Sequence, residues 1–176
     1  MAREFVISDT HFSHRNILTF KKMGSPIRDF SNAEDMNMYM VERWNSVVGE
    51  GDTVIHLGDV VFAQDGFEYL SMLNGKKILV MGNHERHRLE QYTEHFDKIK
   101  AYWEIGDVLF SHIPVHPREL SRWSANCHGH LHTEQVMLED GEIDPRYLCV
   151  SVEQWNYTPV PIETVMEIFR ERGVLC

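Results

Sequence analysis

Cysteine is scarce in this 176-residue sequence, and its three copies, Cys127, Cys149 and Cys176, show no C-x-x-C spacing. That argues against the disulfide framework of a small secreted domain and for free thiols in a reducing, cytoplasmic setting. Positive charge is also in deficit, with 17 Lys and Arg against 27 Asp and Glu and a net charge of -10. Proteins that bind long nucleic acid through its phosphates need clustered Lys and Arg, so such a partner is not expected. Bound divalent metals would reverse the local field, however, and let an acidic chain hold a phosphate. No apolar run approaches the length of a membrane span. The opening Met1-Ala2-Arg3-Glu4 leads into a strand-like run without the apolar region of a signal peptide. No membrane partner is expected. Repeats, low-complexity tracts and linkers are missing too, which leaves residues 1–176 as one domain with a sizeable core.

What the chain has in excess is histidine, eleven copies, several of them in pairs. The stretch Ile78-Leu79-Val80-Met81-Gly82-Asn83-His84 is an apolar run that stops at a glycine and two polar side chains. It reads as a buried strand delivering chemistry to the carboxyl edge of a sheet, where α/β proteins place their sites. The same pattern recurs along the chain. Glu4 to Ser8 is β-prone and is followed by Asp9-Thr10-His11, whose carboxylate and imidazole share one side if the backbone stays extended. Taken alone, Asp9 could equally cap a helix. Thr53 to Leu57 forms a further strand ending in Gly58-Asp59, with His56 read as a core histidine or as a partner behind a ligand. Val108-Leu109-Phe110 leads to Ser111-His112. In Asn126 to His132, three histidines alternate, so an extended run would project His128, His130 and His132 on one side.

Between these runs lie helical patterns. Ser31-Asn32-Ala33-Glu34 resembles a capping box, followed by Met36, Met40, Val41, Trp44, Val47 and Val48 on one face. Phe67, Leu70 and Leu73 mark a short helix stopped by Asn74-Gly75. Glu85 to Arg88 read as the solvated start of a helix, and Ile113 to Ser124 as a loop. Tyr147 to Val152 alternates as a strand, and Pro161 to Arg170 is amphipathic with Gly173 beyond its end.

Collected, the residues just past strands are Asp9, His11, Asp59, Asn83, His112, His130 and His132. These nitrogen and oxygen donors overfill one metal shell but suit two ions if a carboxylate bridges them. Without thiolate they favour Mn, Fe, Co, Ni or Zn over Mg or Ca. Two ions about 3.5–4 Å apart polarise a phosphoryl oxygen and activate a water between them. His84, beside Asn83, is placed to protonate the leaving oxygen.

The blocks Asp9-x-His11, Gly58-Asp59, Gly82-Asn83-His84-Glu85, His112 and Gly129-His130-x-His132 resemble the motif series of the calcineurin-like metallophosphoesterases. Glu85 stands where many relatives carry Asp. The resemblance implies a four-layer α/β/β/α sandwich with two central mixed β-sheets, as in the small bacterial and phage members. It further implies one ion on Asp9, His11 and His132 and a second on Asn83, His112 and His130. Asp59 would bridge them, a hydroxide between the ions would be the nucleophile, and His84 the acid. Asn83, His84 and His112 would also meet the substrate, a small phosphodiester or phosphomonoester. Manganese is the first choice of metal. A catalytically silent scaffold on the same fold is the alternative of a different class.

Overall fold

The computed structural model describes residues 2–176. In chain order the elements are β1 (Glu4–Ile7), β2 (Lys21–Lys22), β3 (Ser25–Pro26), α1 (Ala33–Asn45), β4 (Thr53–His56), α2 (Phe67–Leu70), β5 (Lys76–Val80) and α3 (Leu89–Thr93). They continue as β6 (Lys98–Lys100), β7 (Trp103–Ile105), β8 (Val108–Ser111), β9 (Ala125–His128), β10 (Tyr147–Cys149), β11 (Val160–Pro161) and α4 (Ile162–Glu171). Two mixed sheets result. The first runs β11-β1-β4-β5-β6 and the second β10-β9-β8-β7. Within these two sheets β11 and β7, each at one edge, pair antiparallel and the other strands parallel.

Period-two side-chain alternation sorts the apolar residues of the first sheet onto two faces. Phe5, Ile7, Val54 and Leu79 pack with Met36, Met40 and Trp44 of α1, Phe67 and Leu70 of α2, and Tyr92 of α3. Val6, Ile55, Ile78 and Val80 face the other way, onto Val108 and Phe110 of β8, Cys127 of β9 and Leu148 of β10. Val165 and Phe169 of α4 complete that second core. The α/β sandwich with two central mixed sheets is therefore the fold. Among the described residues, no helix is long and apolar enough to cross a membrane.

Two local expectations need correction. α1 begins one residue later than a Ser31 capping box requires: Asn32 is the cap, its Oδ1 accepting from the Asp35 N–H at 2.8 Å. Glu85 to Arg88 form no helix; α3 starts only at Leu89, because Glu85 is drawn inward as described below.

Parallel pairing aligns the carboxyl ends of β1, β4 and β5, with Ile7 opposite His56 and His56 opposite Leu79. The second sheet does the same, with Ser111 opposite His128 and His128 opposite Cys149. The sheets then meet through Ser8, whose N–H donates to Val150 O and whose carbonyl accepts from Val152 N–H, both at 3.1 Å. The segments leaving β1, β4, β5, β8, β9 and β10 thus enter the same small region.

Candidate metal centre

The residues that leave those strands do not stay extended. Asp9, His11, Asp59, His130 and His132 all have positive φ, at 61°, 47°, 57°, 68° and 52°. The expectation that Asp9 and His11, and the alternating histidines, share a side by extended geometry is therefore wrong in mechanism. β9 stops at His128, and left-handed turns re-aim His130 and His132. Such backbone costs about 1–3 kcal/mol per residue and persists where surrounding contacts enforce it. Here they do: Asp9 N–H donates to Gly58 O at 3.0 Å, His11 N–H to Asp59 O at 2.9 Å and Phe12 N–H to Val60 O at 2.8 Å.

Two groups of donors emerge. Asp9, His11 and His132 each offer an atom within 4.8 Å of the others, and so do Asp59, His112 and His130. Asp59 lies between them, its Oδ2 3.5 Å from His11 Nε2 and 3.3 Å from His112 Nε2. Asn83 joins the second group, its Oδ1 2.8 Å from His112 Nε2. All seven expected side chains converge.

The carboxylates are each half committed. Asp9 Oδ2 accepts from the Ser151 hydroxyl at 2.7 Å and the His130 N–H at 2.9 Å, whereas buried Oδ1 has no hydrogen-bond partner. Asp59 Oδ1 accepts from the His84 N–H at 2.8 Å, leaving Oδ2 toward the two imidazoles. A buried carboxylate oxygen without a donor is expensive, and a cation removes that cost. The rings are oriented from behind: His112 Nδ1 lies 2.7 Å from Leu57 O and His132 Nδ1 2.8 Å from Glu153 Oε1. A ring nitrogen donating backward presents the lone pair of the other nitrogen forward. Nitrogen and oxygen donors so arranged fit divalent transition ions.

The field is mixed. Burial pushes the Asp9 carboxyl above its ordinary range, against the pull of His132, His112 and Ser151. Burial and the Arg28 guanidinium hold the His11 imidazole well below its usual value, so it is neutral and its lone pair free. Burial also pushes Asp59 up, but the hydrogen bond and charge of His112 and the His84 N–H bring its carboxyl below the usual range.

Glu85 is the clearest departure from expectation. Its carboxylate faces inward, not to solvent, accepting from Val60 N–H at 2.8 Å and Gly82 N–H at 2.6 Å. It thereby fastens the turn that carries Asn83 and His84 to the end of β4, although burial pushes its carboxyl to about 7. Two glycines are required by these close approaches. A Cβ on Gly82 would collide with Asp59 and Glu85, and one on Gly129 with Ser8 Oγ and Asp9 Oδ2.

His56 is a satisfied core histidine, with Nε2 3.0 Å from Thr10 Oγ1 and Nδ1 accepting from Gly58 N–H at 3.1 Å. Trp123 and Trp155 are spent on structural contacts, donating to Glu104 Oε1 at 2.7 Å and Cys149 O at 2.9 Å. Sequence reasoning missed Arg28, Ser151 and Glu153. The last two follow β10 as Asp9 follows β1, and that position was the available signal.

Two mixed sheets that gather Asp, Asn and His side chains at their strand ends define a metallophosphoesterase. A family model described as calcineurin-like phosphoesterase matches residues 3–167, and the chain belongs to that family. Its members hydrolyse phosphate esters with divalent metal ions. An uncharacterized protein of Methanocaldococcus jannaschii, MJ1445, is 32% identical, the match covering 99% of this chain and 96% of that one. The crystal structure of AQ665, a protein of unknown function from Aquifex aeolicus, is 27% identical with a TM-score of 0.74, covering 96% of this chain and all 100% of that chain. A nuclease from Pseudomonas putida, MPE, shares the fold at 17% identity and a TM-score of 0.53, over 86% of this chain and 74% of its own.

Proposed function

We propose that the protein hydrolyses small phosphodiesters at a pair of divalent transition-metal ions, manganese first among them. One ion would be held by Asp9, His11 and His132 and the other by Asn83, His112 and His130, with Asp59 shared. The position of Asp59 Oδ2 between His11 Nε2 and His112 Nε2 carries this reading. When bound, such a pair supplies charge neutralisation at phosphorus and activation of the attacking water.

The remaining work falls to side chains. Asn83 and His112, whose Oδ1 and Nε2 lie 2.8 Å apart, would also contact the phosphoryl oxygens. His84 is held at the cluster by its own N–H on Asp59, its ring centroid 5.6 Å from that of His11. His84 would be the acid that protonates the leaving oxygen. The net charge of -10 weighs against long polynucleotides, the nuclease name of the P. putida neighbour notwithstanding.

The test is a panel of bis-nitrophenyl phosphate, nitrophenyl phosphate and cyclic nucleotides, each with Mn, Ni, Zn and Mg. Faster turnover of the diester with manganese is expected. A preference for the monoester would make the protein a phosphomonoesterase, and no turnover with any metal would make it a silent scaffold.

A further inference from the structure

Arg28 is the only buried lysine or arginine among the described residues, its side chain 0% exposed. It lies in the irregular segment between β3 and α1, outside every motif of the family series. Taking a guanidinium out of water costs several kcal/mol unless its donors are all engaged. Here Nε and Nη2 both lie 2.8 Å from Glu153 Oε1, a carboxylate 125 positions away. Nη1 donates to Thr10 O at 2.8 Å and Nη2 to Asp9 O. Glu153 Oε1 in turn faces His132 Nδ1 at 2.8 Å.

One guanidinium therefore grips the carbonyls of Asp9 and Thr10 in the left-handed turn and, through Glu153, the back of His132. Those contacts end on Asp9, Thr10 and, through Glu153, the ring of His132, and none touches the side chain of Asp59, His112 or His130. A buried ion pair is poor support for stability, since apolar residues of similar volume commonly do as well. Orientation of a ligand from behind is a role that apolar residues cannot fill.

We propose that Arg28 and Glu153 are a buried positioning pair that tunes one ion site, that of Asp9, His11 and His132, independently of the other. This rests on the two-ion reading above. Glu153 sets His132 to donate from Nδ1 and present Nε2, while Arg28 holds the Asp9-Thr10 backbone in register and neutralises Glu153.

The experiment titrates chelator-treated protein with Mn(II) alone, by calorimetry and by electron paramagnetic resonance. It compares wild type, Glu153→Gln and the paired replacement Arg28→Met with Glu153→Leu, each checked for folding by circular dichroism. In both variants one ion should bind as in wild type and the other about 10–100-fold more weakly. The signal of coupled manganese should give way to that of an isolated ion at concentrations where wild type is filled, and Glu153→Asp should restore part of it. Two ions bound with wild-type affinity in a folded variant would overturn the pairing. Equal weakening of both ions, or failure of both variants to fold, would also overturn it by making the pair a structural element. Failure of wild type to bind two ions would instead remove the two-ion reading itself.

Discussion

The neutral histidine beneath the centre makes a quantitative prediction about acid. His56 is fully buried against Trp44, and burial takes its imidazole from 6.5 to about 3. Thr10 Oγ1 donates to Val60 O at 2.9 Å, so it accepts from His56 Nε2–H; His56 Nδ1 accepts from Gly58 N–H. A second ring proton would have no acceptor. Between those two values the unfolded chain binds a proton that the folded chain refuses, so stability falls as pH drops from 6.5 toward 3. At about 1.4 kcal/mol per pH unit, His56 alone should remove about 3 kcal/mol by a pH of about 4.5. His56→Gln keeps a donor for Thr10 and does not titrate. Urea unfolding of chelator-treated protein at neutral and acid pH would measure the effect as a difference between wild type and variant. His14 and His128, each held by burial at about 4, act in both proteins and cancel. The variant should be the less stable at neutral pH, with the gap closing by about 3 kcal/mol on acidification. Two pH curves that stay parallel would refute the reasoning.

Asp59→Asn should abolish activity and weaken both ions, because it removes the charge both groups share; elemental analysis showing two tightly held ions would count against that. His84→Ala should lower turnover of alkyl esters by about 10²–10⁴-fold with metal content unchanged, and cost less for nitrophenolate, which hardly needs a proton. Joint loss of metal and rate would make His84 a ligand instead. Gly129→Ala places a methyl on Ser8 Oγ and Asp9 Oδ2 and should destabilise by about 1–3 kcal/mol, read by thermal melting. An unchanged melting temperature there would mean that the Ser8–Asp9 turn yields without cost.

Strand ends were the legible part of this protein. Asp9, Asp59, Asn83 and His112 each stand one to three residues past an apolar run, and β-prone composition is visible within a few neighbouring positions. Parallel pairing turns that local pattern into convergence, because aligned strands end together at one edge. The motif order named the family for the same reason. What could not be read locally depended on partners far along the chain. Glu85 appeared solvated because its acceptors' donors, Val60 and Gly82, belong to two different strand ends that only the folded sheet brings close. The left-handed turns at Asp9 and His11 are held by hydrogen bonds to the segment leaving β4, and that at His130 by its N–H on Asp9 Oδ2; none of these residues is glycine. Arg28 carries no periodic or spacing signal at all, and Glu153 only its place after β10; burial and a shared acceptor oxygen exist only after the segments meet. Local sequence therefore determined which side chains stand at the ends of strands, and tertiary packing decided how each is aimed, because aim is set by hydrogen bonds across the two sheets.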